Sequence, residues 1–423
     1  MIPAANTSGG SMRRCRYRPS ADVRLKFVFK VKGNTCLPLT HAFRSQGRVA
    51  KVGVCSIEVN SPRKMLPFNY LDSRQRFRML AESLGAVQRV FLHEGAEEGG
   101  VHLSTDVAYL GPPDAQTVVV IASGTHGVEG YAGAACQLHF MQTWSKRRAT
   151  DALAWLLVHA VNPWGYFHDR RVTQEGVDLN RNFVDFPLPA QSSSAYAAYH
   201  DLLVSDYRPL PAGLWNELRL LSHGLTRNRR HALQAAITAG QYDQPDGLFF
   251  GGSAPTESRR VWESIMASYV DGRERAFLLD IHTGLGQSGT SELISHLPPA
   301  SEGFRRMSHW FGGRLKSTAG GDSVSAQVQG TLTAAFDRAM AGRGHAVGLE
   351  FGTRSPLAVL DAMRADQWYR NNATRLPQSE RERVRRRMKA AFCLDDVNWC
   401  RLLLEQFDQT LEQVLTGLAV QGQ

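Results

Sequence analysis

The chain has 423 residues, of which 43% are hydrophobic and 21% are charged, and a chain of this size can bury the core of one large domain or two ordinary ones. No apolar run approaches the ~18 residues that a membrane-spanning helix needs, and no hydrophobic signal core follows the first residues, so we predict no membrane segment. The six cysteines contain no CxxC pair, which argues against a disulfide frame or a cysteine-bound zinc and favours reduced thiols in a cytoplasmic protein.

The net charge of +10 comes from the start of the chain. Residues 1–66 hold 13 Lys and Arg against two acidic residues, a balance of +11, which leaves −1 for the other 357 residues. We interpret residues 1–66 as a basic, poorly ordered extension, or as the result of a start site assigned too early, with Met65 as the alternative start. A nucleic-acid-binding arm and a transit peptide are the alternatives. The arginine-rich run at 383–389 is typical of a solvated helix face, and we predict no nucleic-acid partner.

The remaining residues, 67–423, are predicted to form a single α/β domain. An opening helix is followed by four short apolar runs without polar alternation, which is typical of strands covered on both faces. We therefore predict a mixed, mainly parallel twisted sheet flanked by helices. The helix is predicted at 69–86 and the strands at 117–122, 154–161, 276–284 and 346–353.

Two further segments differ from this pattern. Residues 187–245 are richer in polar residues and helical patterns, which predicts a helical insertion over one edge of the sheet. Residues 378–420 are predicted to form a helical segment at the end of the domain, where Ser379 and Glu382 have the spacing of a capping box.

One histidine and one glutamate follow the first predicted strand closely. His126 and Glu129 lie three residues apart in THGVEG, on the turn from strand to helix, where open α/β sheets usually place ligands. Residues at this spacing share one face of a first helical turn, so both side chains could bind one ion. His282 stands at the end of the third predicted strand and is the third candidate ligand. Two histidines and one carboxylate, with a position left for water, are typical of catalytic zinc.

Other residues match simple patterns without the right context. His159 and His345 lie within or before apolar runs, where a core or edge histidine is the ordinary expectation, and they remain rival ligands. The stretch GLGQSG at 284–289 matches the GxGxxG of dinucleotide sites, but a strand-like segment follows it instead of a helix, so we reject that interpretation.

Hydrolysis at a metal also needs a base, an oxyanion donor and a group that holds the substrate. Glu350 lies at the end of an apolar strand, where a charge is costly unless it serves a functional site. It is therefore the candidate general base. Asn180 and Arg181 project from a short polar turn, where a guanidinium can bind a substrate carboxylate. Arg171, with Arg170 as the alternative, is the candidate that stabilises the oxyanion.

Five motifs follow one another along the chain: HGVE at 126–129, NPWGY at 162–166, DLNRNF at 178–183, DIHTG at 280–284 and LEFGT at 349–353. Together and in this order they resemble the zinc carboxypeptidase superfamily. The resemblance covers about residues 68–370 and is to an uncharacterised bacterial branch, between the carboxypeptidase A type and the succinylglutamate desuccinylase and aspartoacylase type. It implies the fold of that superfamily, zinc on His126, Glu129 and His282, a terminal carboxylate on Asn180 and Arg181, carbonyl polarisation by Arg171 and a base in Glu350.

The sequence also departs from the carboxypeptidases. They carry a substrate-capping tyrosine between the third ligand and the base, whereas residues 283–349 contain no tyrosine. The interval from Arg171 to Asn180 is also short, nearer to the deacylase pattern. We therefore predict a zinc-dependent hydrolase that cleaves an amide bond, in a peptide or an N-acyl compound, adjacent to a free carboxylate. A metallo-esterase or endo-amidase, or a non-catalytic binding module that kept the fold, are the alternatives. The oligomeric state is not predicted.

Overall fold

The computed structural model describes residues 62–143, 152–187, 195–223, 233 and 236–420. The chain divides into two units, Met1–Ile57 and Glu58–Gln423, and the first lies outside the described residues. Most of the predicted basic extension at residues 1–66 therefore lies outside them too. None of the helices in the described part is both long and apolar enough to span a membrane.

Eight strands form one sheet: β1 Val87–Glu98, β2 Val101–Leu110, β3 Thr117–Ser123, β4 Leu153–His159, β5 Arg275–Gly284, β6 Ser291–Ser295, β7 Leu315–Ser317 and β8 Gly344–Gly352. Its order is β1-β2-β4-β3-β5-β8-β6-β7, with four parallel and three antiparallel neighbouring pairs. The predicted mixed, mainly parallel sheet is thus confirmed, and its four predicted strands are the central parallel ones, β4-β3-β5-β8.

The helices cover both faces of the sheet. Their bounds are α1 Tyr70–Ser83, α2 Gly130–Thr143, α3 Pro163–Phe167, α4 Leu214–His223, α5 Glu257–Tyr269, α6 Glu302–Phe311, α7 Leu332–Met340, α8 Pro356–Asn372, α9 Gln378–Phe392 and α10 Val397–Val420. In β3, Val119 and Ile121 pack into one buried cluster with α1, α2, α6 and α10, whereas Val118 and Val120 pack into another with α5 and α7. This alternation explains why the central strands are apolar throughout, because both faces are buried.

A third buried cluster joins the predicted insertion to the end of the domain. It includes Leu220 of α4, Val359 of α8 and Met388 of α9. Within residues 187–245, the structure describes helical segments at Ala195–Tyr199, Asp201–Ser205 and α4. The predicted capping box at Ser379 is wrong, because α9 begins at Gln378 with Pro377 as its N-cap residue and no side-chain cap.

Candidate functional site

His126 and Glu129 lie on the turn that joins β3 to α2. A short 3-10 turn over Gly127–Glu129 precedes the helix, and the Gly127 N–H donates to the Arg171 carbonyl oxygen over 3.3 Å. A Cβ at position 127 would lie 2.0 Å from the Gly165 backbone. Only glycine therefore allows this turn to pack so closely, and that packing fixes the direction of the two side chains.

His282, on β5 beside β3, completes a three-residue group. The Nδ1 atom of His126 lies 2.9 Å from Glu129 Oε1, and the Nδ1 atom of His282 lies 2.9 Å from Glu129 Oε2. Donor atoms of the three side chains all lie within 4.8 Å of one another, and all three residues are buried. The structure thus brings together the three predicted ligands in a group that could hold a metal ion.

Each of these histidines also contacts a second carboxylate, from an aspartate for which no role was predicted from the sequence. The Nε2 atom of His126 lies 3.2 Å from Asp178 Oδ1, and that of His282 lies 2.7 Å from Asp280 Oδ2. Carboxylates in this position fix the imidazole and leave the other ring nitrogen available to a metal. A signal existed, because Asp178 opens DLNRNF and Asp280 precedes His282 by two residues on the same strand face.

The electrostatics of the group fit a divalent cation. Burial alone would raise the pKa of Glu129, but the two imidazoles lower it below its usual range. Burial opposes a charge on His282, yet Asp280 and Glu129 hold the pKa of its imidazole well above the ordinary value. When no metal is bound, the protons in the hydrogen bonds between the imidazoles and the carboxylates hold these side chains together. A bound cation can replace those protons. Two imidazoles and one carboxylate are a common donor set for zinc.

Glu350 lies beside the group on β8. Its Cα atom is paired with that of His282 across the two parallel strands, and its Oε1 atom accepts the Leu285 N–H over 2.8 Å. The side chain lines the same cavity as the three candidate ligands. Burial and the nearby Glu129 raise the pKa of Glu350 to about 8. A carboxyl group with a pKa near neutrality is suited to proton transfer.

The two candidate arginines for the oxyanion differ in position. Arg171 lines the cavity, and it donates from Nε to Asp178 Oδ2 over 2.9 Å and from Nη1 to Glu129 Oε1 over 3.2 Å. Arg170 instead pairs with Asp366 over 2.9 Å and is not among the described residues that line the cavity. Of the two, Arg171 is therefore the one that can reach a substrate there, and it also links two carboxylates of the group.

Asn180 and Arg181 lie at the same cavity. The Leu332 N–H at the start of α7 donates to Asn180 Oδ1 over 2.8 Å, which leaves the amide nitrogen to donate elsewhere. Arg181 is buried and donates to the carbonyl oxygens of Asn180 and Thr238. Its Nε atom has no partner among the described residues, and burial lowers its pKa. The nearby Asp178 carboxylate partly offsets this lowering, and the guanidinium lies over the Phe249 ring. The hydrogen bonds of this buried guanidinium go only to carbonyl oxygens, so it is a favourable place for an anion.

A family model described as "Protein of unknown function (DUF2817)" matches residues 68–406. The chain belongs to this family. The match confirms the predicted membership of an uncharacterised branch. No curated protein matches the chain.

Solved structures similar to this DUF2817 protein include carboxypeptidases. Carboxypeptidase A from Helicoverpa armigera is 15% identical, with 80% of this chain and 78% of that chain covered and a TM-score of 0.42. Bovine thrombin-activatable fibrinolysis inhibitor, in complex with tick carboxypeptidase inhibitor, is 10% identical, with 81% and 99% covered and a TM-score of 0.40. A candidate metallopeptidase from Shewanella amazonensis SB2B is 13% identical, with 71% and 92% covered and a TM-score of 0.37.

The cavity of the DUF2817 protein has a volume of about 150 Å³. One side is lined by apolar residues of the third buried cluster, among them Phe249, Val359 and Phe392. The other lining residues include His296 and seven residues between Thr318 and Thr333. Neither of these two groups of lining residues was predicted from the sequence, because none of the residues belongs to a recognisable motif.

The rival histidines lie elsewhere. His159 is fully buried between Phe77 and Tyr70 and bonds Ser73 Oγ over 2.8 Å. His345 lies near the start of β8 and is paired with Phe277, near the start of β5. Neither is among the described residues that line the cavity. Also as expected, a strand, β6, follows GLGQSG instead of a helix.

Proposed function

We propose that this DUF2817 protein is a zinc-dependent hydrolase that cleaves an amide bond, in a peptide or an N-acyl compound, adjacent to a free carboxylate. One observation carries the proposal. A single cavity is lined by the ligand group, by Glu350 and by Arg181, a buried cation that forms no salt bridge with the described residues. Such a set can bind an anionic substrate and move protons beside a metal.

The proposed roles follow from the contacts. Zinc held by His126, Glu129 and His282 would supply Lewis acidity toward the scissile carbonyl and would acidify a water molecule. Because Oε1 of Glu350 accepts the Leu285 N–H, the other carboxyl oxygen exchanges the proton. Glu350 takes it from the attacking water and returns it to the leaving amine.

The cationic and amide groups hold the substrate. Arg181 and the Asn180 amide nitrogen bind the free carboxylate, and together they fix the distance from that carboxylate to the scissile bond. Arg171 donates to the carbonyl oxygen as negative charge develops there. Its contact with Glu129 places it next to the ligand group already.

The test compares matched substrates with a free and a blocked carboxylate. Amidation should lower the wild-type kcat/KM by about 30-fold or more, because it removes a charge-assisted pair in a buried place. Arg181→Ala should lose this preference, and Arg181→Lys should recover little, because an ammonium lacks the planar fork of the guanidinium.

Arg259→Ala is the matched control. Arg259 is also largely buried, donates to the carbonyl oxygens of Asn182 and Val184 and lies over Phe183. Unlike Arg181 it also pairs with Glu263, over 2.7 Å, and it does not line the cavity. This variant should keep the preference. Equal cleavage of free and blocked substrates by the wild type would contradict the carboxylate role and favour an endo-amidase or esterase. Binding of these compounds without turnover in a zinc-loaded sample would favour a non-catalytic binding module.

A further inference from the structure

The outward side of α4 is apolar. Four large apolar side chains of this helix, and one that precedes it in the chain, are between 47% and 79% exposed. Monomeric proteins rarely expose so many large apolar side chains in one short segment, and such segments usually bind something. These five residues, here called the α4 stripe, are Leu210, Leu214, Trp215, Leu218 and Leu221.

The α4 stripe lies opposite the side of the helix that packs on the protein. Leu214, Leu218 and Leu221 are spaced by four and three residues, which places them on one side of a helix. The buried residues of α4 are Asn216 and Leu220. Each of them follows a leucine of the stripe by two residues, and so lies about half a helical turn away. The outward side of α4 is therefore the more apolar one, the reverse of an ordinary surface helix.

Polar contacts on the buried side hold α4 in this orientation. Arg364 of α8 is fully buried. It donates to Asn216 Oδ1 and, over 2.6 Å, to Glu217 Oε1. Asn216 in turn donates to the Leu202 carbonyl oxygen over 3.0 Å. Turning the helix to bury the stripe would break these bonds and leave a buried guanidinium without its carboxylate, which is costly.

Arginines of α9 border the stripe. Leu210 lines a concave surface together with Arg383 and Arg387, which are the charged residues of its described lining. Each arginine pairs with a carboxylate that is less exposed than itself. The Arg383 side chain is 53% exposed and that of Glu380 27%, and the Arg387 side chain is 40% exposed and that of Asp361 27%. This border therefore presents cations to the solvent.

Two more arginines lie next to the stripe in the chain. Arg208 is exposed and donates to the carbonyl oxygens of Ser205 and Tyr207, so its charge is not neutralised by those contacts. Arg219 of α4 pairs with Asp206 over 2.8 Å, and it is again the more exposed partner. The surroundings of the stripe are thus suited to an anionic partner.

We propose that the α4 stripe binds the surface of a lipid membrane that contains anionic headgroups. Tryptophan and leucine on one side of a helix, with arginines beside them, are typical of helices that lie in the membrane interface. The apolar side chains enter the boundary between headgroups and acyl chains, and the guanidinium groups bind lipid phosphates.

A second copy of the chain fits this surface less well. The stripe holds five residues on and beside a ten-residue helix, whereas a stable protein interface takes about 20 to 30 residues from each partner. Lipid binding has no such minimum, because its strength grows with each apolar side chain that is buried.

The experiment is co-sedimentation of the full chain with lipid vesicles. One set contains phosphatidylcholine alone and the other an equimolar mixture with phosphatidylglycerol. We expect the wild type to partition about 10-fold or more in favour of the anionic vesicles, and added salt should reduce this difference. Replacing Trp215 and Leu218 together by serine should lower the partition coefficient for anionic vesicles by about 30-fold or more, because two apolar side chains no longer enter the lipid.

A matched pair of substitutions controls for loss of exposed apolar surface. Phe68 and Met79, beside and in α1, are 82% and 56% exposed, against 79% and 47% for Trp215 and Leu218. Replacing Phe68 and Met79 together by serine should change the partition coefficient by less than about 3-fold.

A second pair of variants tests the arginines. Arg383→Gln should lower the partition coefficient for anionic vesicles by about 5-fold, the usual effect of one basic residue near a charged membrane. Arg306→Gln is its control, since Arg306 is also exposed and pairs with a glutamate of its own helix, Glu302 of α6. It should leave partitioning unchanged.

Fluorescence shows whether the stripe itself enters the lipid. Anionic vesicles with brominated acyl chains should quench part of the tryptophan emission of the wild type. Trp215→Phe keeps a large apolar ring at this position, so it should bind within about 3-fold of the wild type and lose most of that quenching.

Three results would overturn the proposal: no binding to either vesicle type, equal binding to both, or unchanged binding after Trp215 and Leu218 are replaced. The last result would assign the lipid contact to another part of the chain, such as the basic residues 1–66. Sedimentation velocity without vesicles tests the second copy. A dimer that becomes a monomer when Trp215 and Leu218 are replaced would show that the stripe joins two chains, and would also overturn the proposal. None of these measurements depends on zinc or on turnover, so their outcome is independent of the proposed function.

Discussion

Single carboxylates determine how the candidate ligands are presented. Asp178 and Asp280 contact the Nε2 atoms of His126 and His282, so both imidazoles turn Nδ1 toward Glu129. Arg171 contacts both Asp178 and Glu129. Substituting either aspartate should therefore leave all three ligands in place but allow one imidazole to move. Such a variant should lose more metal affinity than a variant with a substitution far from the site.

Among single residues, the most specific prediction concerns Glu350. Glu350→Gln keeps the shape of the side chain and an oxygen that can accept the Leu285 N–H, but it cannot exchange a proton. We expect zinc content and fold to be retained and kcat to fall by about 10² to 10⁴. The measurements are metal analysis, circular dichroism and steady-state kinetics.

Glu292→Gln serves as the control for that change. Glu292 is paired with Glu350 on the neighbouring strand, and its Oε1 accepts bonds from Ser323 and Val324, which a glutamine oxygen can also accept. This variant should keep turnover within about 3-fold, since no proton transfer is assigned to it. Near-normal turnover in Glu350→Gln would remove Glu350 from the proton-transfer role.

At the scale of elements, the start of α7 supports the substrate-binding side of the cavity. Thr331 is the N-cap residue and its hydroxyl accepts the Ala334 N–H over 3.1 Å. The next residue, Leu332, donates its N–H to Asn180 Oδ1. Loss of the cap should therefore disturb Asn180 as well as the helix.

This coupling predicts different results for two helix caps. Thr331→Val and Ser301→Ala, which removes the cap of α6, should each cost about 1 kcal/mol in the free energy of unfolding. Only Thr331→Val should also raise KM for substrates with a free carboxylate, by about 3-fold or more, because only that cap adjoins Asn180. Thr331→Ser, which keeps the hydroxyl, should restore both quantities. Denaturant unfolding and steady-state kinetics are the measurements, and a KM that rises equally in Ser301→Ala would contradict the coupling.

At the scale of the whole molecule, the ligand group joins distant parts of the chain. The turn after β3 and strand β5 supply the three residues, and Glu129 and His282 are 153 positions apart. A metal that binds the folded arrangement and not the unfolded chain must stabilise the fold.

Zinc removal should accordingly lower Tm in the wild type. At a free zinc concentration 100-fold above Kd, the stabilisation would be about 2.7 kcal/mol. His126→Ala and His282→Ala should lose zinc and show no Tm change on chelation, whereas His345→Ala should retain both zinc and the response. Metal analysis and thermal unfolding with and without a chelator are the measurements. Full zinc occupancy in His126→Ala and His282→Ala would show that the ligands were assigned wrongly.

The sequence by itself determined the central sheet and the three residues of the ligand group. Short apolar runs without alternation predict buried parallel strands because burial on both faces imposes that pattern locally. His126 and Glu129 could be assigned to one site because they lie only three residues apart in the chain. His282 and Glu350 could each be recognised because each follows a run of buried strand residues.

Only the tertiary structure decided what surrounds those residues. Arg181 donates to Thr238, 57 positions away, and Leu332 donates to Asn180 across 152 positions. Seven residues between Thr318 and Thr333 line part of the cavity. No local pattern encodes such contacts, because they depend on where long connections return to the sheet.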